Sequence, residues 1–261
     1  LINAEGDYFM ARYDSAGDLA PRDVVARAVL RESTEAEPVR LDLRSVKHFA
    51  ARFPGLVDRL HGLGYQPLQE PIPVAPAAHY AIGGVKTDLD GRTTIPGLYA
   101  AGEVASTGLH GANRLASNSM LEALVMGRRA ALGALEDRQA MSGRGRPLPV
   151  STVTKESVEW LPGAMESAAG VLRDGATLVA LEARLSRTLE QAVEAVHGVA
   201  SAQQARVARL IVRGAQVRTQ SLGVHWRSDA ASDAVPPPYH LEQWCTSAGE
   251  ERHDITQPGK L

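Results

Sequence analysis

The chain has 261 residues, 44% of them hydrophobic and 22% charged, with a formal net charge of −2, proportions of one large or two smaller globular domains. That near-neutral balance excludes an electrostatic footprint for nucleic acid or an anionic membrane, and no apolar run approaches the roughly 18 residues of a membrane span. A single cysteine, Cys245, excludes an internal disulfide and a cysteine-rich metal site, and fits a reducing cytosol.

In chain order, Tyr8 to Tyr13 alternates like a short strand, and the turn Ser15 to Asp18 leads to Pro21, where a helix can start with Asp18 or Ala20 as its cap. Val24, Val25, Ala28 and Val29 recur at helical spacing, and Val39 to Leu43 reads as a strand. Ser45 can cap a second helix carrying Val46, Phe49, Phe53, Leu56 and Leu60, closed by Gly62 and Gly64. The run from Glu70 to Pro76, with prolines at 71, 73 and 76, reads as an extended connector.

Strand and turn signals follow. Val85 to Asp88 predicts a strand entered through Gly83 and Gly84, Asp90-Gly91 a hairpin turn, and Gly97 to Ala101 a short buried strand. From Ser119, the residues Met120, Leu121, Leu124, Val125, Ala131, Leu132 and Leu135 predict a long amphipathic helix, with Glu122 in its first turns where negative charge is favoured. Ser142 to Pro149 reads as a linker. Ser151 to Trp160, Leu172 to His197 and Ser201 to Gln220 predict three antiparallel helices, and the tail past Ser221, with prolines 236 to 238, predicts irregular structure.

Chemistry concentrates between His79 and Glu122. His79 and Arg114 are two cations suited to holding a dicarboxylate, Glu103 follows a glycine at the carboxyl end of a short strand, and Ser117, Asn118 and Ser119 mark a helix start suited to negative charge. Taken singly, a strand histidine or a loop arginine is usually packed or solvated; grouped within one strand-turn-helix segment they read as a site. No G-x-S-x-G elbow is present, which excludes a serine hydrolase of that type, and His79 and His110 lack H-x-x-H or H-E-x-x-H spacing, so no metal is expected.

The run from His79 to Glu122 resembles the succinate dehydrogenase and fumarate reductase flavoprotein family, and TGLHGANRLASNSMLE is most similar to its L-aspartate oxidase branch. GDLAPRDVVARA (residues 17–28) and QEPIPVAPAAHY (residues 69–80) resemble the same branch. The resemblance implies an α+β/α architecture: a partial capping domain over 1–78, the returning part of an FAD-binding α/β domain over 79–140, a helical bundle over 150–225 and an irregular tail over 226–261. It implies FAD as cofactor, Arg22 as proton donor or acceptor, His79 and Arg114 as holders of the substrate carboxylates, Glu103 as a hydrogen-bond partner of the ribityl or ribose part, and Ser119 and Met120 as donors of helix-start amides to the flavin ring.

The implied reaction is hydride transfer from Cα of L-aspartate to the flavin, giving iminoaspartate for NAD synthesis, with oxygen or fumarate as the electron acceptor. Quinolinate synthase, which uses the unstable imine, is the implied partner, and the cytoplasm the implied location. Two alternatives stay open: a fumarate reductase or succinate dehydrogenase flavoprotein, and a non-catalytic fragment that mediates association. The chain departs from the family in two places. No G-x-G-x-x-G occurs in it, so it is expected to be inactive alone, and the family's glutamate-serine-arginine-glycine-x-histidine run survives only in part at Gln220 to His225, with no role expected for His225.

Overall fold

Prolines and glycines break the first 78 residues into short elements, and two apolar stretches pull them together. In the computed structural model, which describes residues 1–34, 36–137, 151–152, 158–190, 193–194, 199–230, 240–245 and 251–256, the chain divides into two units, Leu1–Ala78 and His79–Leu261. In the first unit α1 (Arg22–Glu32) buries Val25, Ala28 and Val29 against Phe9, Met10, Ala20 and Val39. Its N-cap is Pro21, with no side-chain cap, so neither Asp18 nor Ala20 caps the helix. Pro21 itself is extended, at φ −49° and ψ 140°, and has no N–H to satisfy.

The strand expected over residues 39–43 is the pair Arg40–Leu41 (β1), antiparallel to β2 (Ile72–Pro73). The helix expected from Ser45 is two, α2 (Phe49–Arg52) and α3 (Pro54–Gly62). Pro54 lacks the N–H a continuous helix would need and so opens a new one. Residues 9–12 form a 3-10 turn instead of a strand.

The second unit opens with β3 (Val85–Lys86), parallel to β4 (Ala105–Ser106), and α4 (Asn118–Asp137). Between the strands Asp90-Gly91 turns the chain, with Gly91 at φ +73° and Arg92 bridged to Tyr99. A Cβ on Gly91 would lie 2.6 Å from that of Ala130, so the turn packs directly on α4. Arg92 reaches Asp137 at 2.9 Å and Asp90 at 3.1 Å, and Arg129 reaches Asp90 at 3.0 Å. The expected buried strand at 97–101 is an exposed-to-half-buried segment with a single bridge, Arg92 to Tyr99, flanked by bonds from Thr93 N–H to Leu98 O and from Ala100 N–H to Gly91 O.

The remaining helices close on themselves. β5 (Ser151–Thr152) stands where a helix is expected and pairs with β6 (Val193–Glu194) across α5 (Leu161–Ala169) and α6 (Gly175–Glu190). With α7 (Val199–Val217), the helices bury Leu178, Leu181, Leu185, Ala202, Ala205, Ala208 and Val212 in one core. The tail expected to be irregular carries two paired six-residue strands, β7 (His240–Cys245) on β8 (Glu251–Thr256). The linker expected at 142–149 lies outside the described residues. No described helix is long and apolar enough to cross a membrane.

Candidate active site

Strand β3 is entered from the extended segment at residues 79–84, which places the His79-Tyr80 pair beside the loop between β4 and α4. His79 is exposed. Tyr80 is half-buried, its ring edge-on to His110 at 5.2 Å, and the Arg114 guanidinium sits 5.3 Å from the centre of the same ring. Arg114 also donates through one terminal nitrogen to Ser119 Oγ at 3.1 Å. A cation over an aromatic face, tied at one nitrogen only, is oriented while donors remain for a ligand. Burial first, and the neighbouring Glu122 carboxylate second, raise the Tyr80 phenol above its usual range, which keeps it protonated as a donor.

The helix start is under strain. Ser117 lies at φ +66°, a left-handed conformation costing a non-glycine residue about 1 kcal/mol, immediately before Asn118 opens α4. The first-turn N–H groups of α4, those of Ser119 and Met120 included, have no intrahelical acceptor, and the Met120 side chain is 70% exposed. Glu103 lies in a 3-10 turn (Gly102–Val104) that packs against this helix, a Cβ on Gly102 lying 3.6 Å from that of Ala123. Its carboxylate accepts the backbone N–H of Ala81 at 2.8 Å. An exposed acceptor and a half-buried helix start are therefore neighbours, a set of groups that fits a flavin: the carboxylate to accept from hydroxyls, the amides to donate to the electron-rich pyrimidine end.

Beneath the loop lies a buried polar cluster that sequence reasoning missed. Glu122, expected in the first turns of the helix where negative charge is favoured, is buried: Thr107 donates to it, and His110 Nε2 stands 2.8 Å from its second oxygen without hydrogen-bond alignment. His110 Nδ1 is buried without a hydrogen-bond partner. The signal available was spacing: Glu122, Met126, Ala130 and Gly133 share one helical face, and that face is the buried one. The apolar residues assigned to the core face point the other way, with Leu121, Leu124 and Leu135 each more than 60% exposed.

Arg22, in the first unit, is exposed at the first position of α1. Its guanidinium folds back on carbonyl oxygens, to Asp18 at 2.6 Å and to Ala20 at 2.5 and 3.2 Å. His225 is a buried, satisfied histidine in the second unit, bonded to Arg218 O at 2.8 Å and to Arg173 at 2.9 Å. Burial, reinforced by the surrounding arginines, lowers its pKa to about 4.

Comparison with known proteins bears on this geometry. The FAD binding domain family matches residues 1–120. An L-aspartate oxidase of Caulobacter vibrioides is 44% identical over 241 residues, covering 90% of this chain and 45% of the relative. One of Streptomyces coelicolor is 41% identical, with 88% and 44% covered. The L-aspartate oxidase of Rhodospirillum rubrum is 40% identical over 88% of this chain and 84% of its own length. The chain thus spans about half the length of the first two. Among solved structures, E. coli quinol fumarate reductase (a FrdA variant) superposes with a TM-score of 0.79 and 28% identity over 98% of this chain and 54% of that one. A quinol-fumarate reductase with menaquinol molecules superposes at 0.81, with the same identity and coverage.

Proposed function

We propose from this geometry, and because the chain belongs to the L-aspartate oxidase family, that residues 79–137 form the substrate clamp and one wall of the flavin site in an enzyme oxidising L-aspartate to iminoaspartate. The observation that carries the reading is the setting of Arg114, oriented by the ring of Tyr80, the residue after His79, and by Ser119, with its remaining donors available. In the same reading residues 1–78 are part of a capping domain, 79–140 the returning part of the FAD-binding domain, and 150–225 a helical domain. The pyrophosphate cradle is supplied by sequence other than these 261 residues, which hold no G-x-G-x-x-G.

Arg114 and His79 hold the two carboxylates of aspartate by charge-assisted hydrogen bonds, each worth about 1.5–3 kcal/mol. Their chief effect is to fix the Cα hydrogen, since a displacement of about 1 Å can cost on the order of 100-fold. FAD, when bound, would supply the hydride acceptor, with oxygen or fumarate as the final electron acceptor. Arg22 takes the amino proton as the Cα hydride leaves. Its carbonyl partners favour the guanidinium cation, so those bonds must loosen, with water excluded, for it to act as a base. Glu103 and the start of α4 at Ser119 and Met120 hold the cofactor. The imine hydrolyses readily, which supports hand-off to quinolinate synthase in the cytoplasm, as an early step of NAD synthesis.

The test is flavin reduction in the full-length protein without oxygen: L-aspartate should bleach the flavin absorbance, and succinate should do so far more slowly. The solved structures it superposes on favour one second reading, a fumarate reductase or succinate dehydrogenase flavoprotein. Fast reduction by succinate and none by aspartate would put that reading in place of the first. A Glu103→Ala variant should lose FAD on gel filtration; full retention would remove Glu103 from the cofactor site.

A further inference from the structure

The Arg114 loop is held from a second side, by the helical bundle. After α7 the chain makes a tight hairpin in which Leu222 N–H donates to His225 O at 2.8 Å and His225 N–H returns to Leu222 O at 3.1 Å. Gly223 takes the turn at φ +57°, and the hairpin tip meets the loop between β4 and α4: Val224 N–H donates to Ala112 O at 3.0 Å. A Cβ on Gly223 would lie 2.2 Å from that same Ala112 oxygen and 2.6 Å from its carbon. Contact this close with backbone leaves no side chain able to yield.

The base of the hairpin is riveted to the bundle. His225 Nε2–H donates to Arg218 O at the end of α7, which leaves Nδ1 to accept from the Arg173 guanidinium between α5 and α6. Ser221 Oγ accepts Arg227 N–H at 2.9 Å, and Arg227 in turn donates to Ala215 O and Arg218 O at 3.1 and 3.2 Å. A fixed base and a tip in backbone contact with Ala112 set where Ala112 lies. Two residues on is Arg114.

We propose that the 221–225 hairpin is a positioning element for the substrate clamp, with Gly223 the residue that sets Ala112 and thereby the reach of Arg114. The proposal rests on the reading of Arg114 as the carboxylate holder. Gly223→Asn isolates the effect, because asparagine tolerates the left-handed backbone while its Cβ still displaces Ala112. In the flavin-loaded full-length enzyme this variant should raise KM for L-aspartate, and Kd for the unreactive probe succinate read from the flavin spectrum, by about tenfold or more. FAD content should stay near that of the parent. Gly64→Ala, another left-handed glycine (φ +88°) but with open space around it, should leave both constants alone.

If Gly223→Asn does not fold, Ser221→Ala carries the test. It removes the Ser221–Arg227 bonds without adding an atom, and should weaken succinate binding in the same direction with FAD retained. Unchanged succinate affinity in whichever variant binds flavin overturns the proposal. Arg114→Leu separates the two claims: if it too leaves affinity unchanged the substrate reading has failed, whereas if it alone weakens binding only the hairpin's role has.

Discussion

The helical bundle and the segment 79–137 belong to one unit yet solve burial in opposite ways. In the bundle, leucines and alanines of α5, α6 and α7 face one another, and Leu178, Leu185, Ala202, Ala205 and Val212 are completely shielded. In 79–137 the helix α4 turns Glu122, Ala130 and Gly133 inward and its leucines outward, and no apolar core cluster among the described residues draws on this segment. A bundle closes by its own apolar area. The site-bearing segment is held by polar and backbone contacts: Arg92 to Asp137, Glu122 beneath the loop, Val224 on Ala112. The exposed leucines of α4 form an outward apolar face along the helix.

The contrast can be broken at several points. Leu185→Ala opens a cavity in the bundle and should lower stability by about 2–5 kcal/mol, read from urea unfolding; a cost near zero would mean the bundle core is not closed. Arg114→Leu should leave folding unchanged and weaken aspartate binding in the full enzyme by about 10- to 150-fold, the loss of charge-assisted bonds worth about 1.5–3 kcal/mol.

His225 gives the bundle a pH dependence. Its folded pKa, lowered by burial to about 4, lies below the unfolded value of about 6.5. Below pH 6.5 the unfolded chain takes up a proton that the folded one refuses, so stability should fall as pH drops from about 6.5 to about 4, by about 1–2 kcal/mol once partial solvent screening is allowed for. A His225→Gln variant should flatten that slope; an unaltered slope would place the titration elsewhere. The smallest effect belongs to α4: Leu124→Gln in this chain should cost less than about 0.5 kcal/mol. A loss matching that of Leu185→Ala would show that the outward face is covered after all.

Helix positions at α1, α6 and α7 and the Asp90-Gly91 turn were legible because propensity and turn geometry act over a few neighbouring residues; the site proposed within 79–122 was read from residue type and motif. Pro54 was visible too, but the helix expected from Ser45 ran through it, although proline's missing N–H is a local fact. The β7–β8 pair was masked by the prolines before it, since two six-residue strands need each other to exist and neither signals alone.

Sequence by itself determined the family of this chain and the placement of α1, α6 and α7, because these are written in motifs and in local spacing. Only the tertiary structure decided which face of α4 is inside, that Glu122 lies buried under the loop, and that Gly223, more than a hundred residues away, touches Ala112. A helical repeat fixes which residues share a face. Which face is buried depends on what packs against it, and that is a property of contacts between segments distant in the chain.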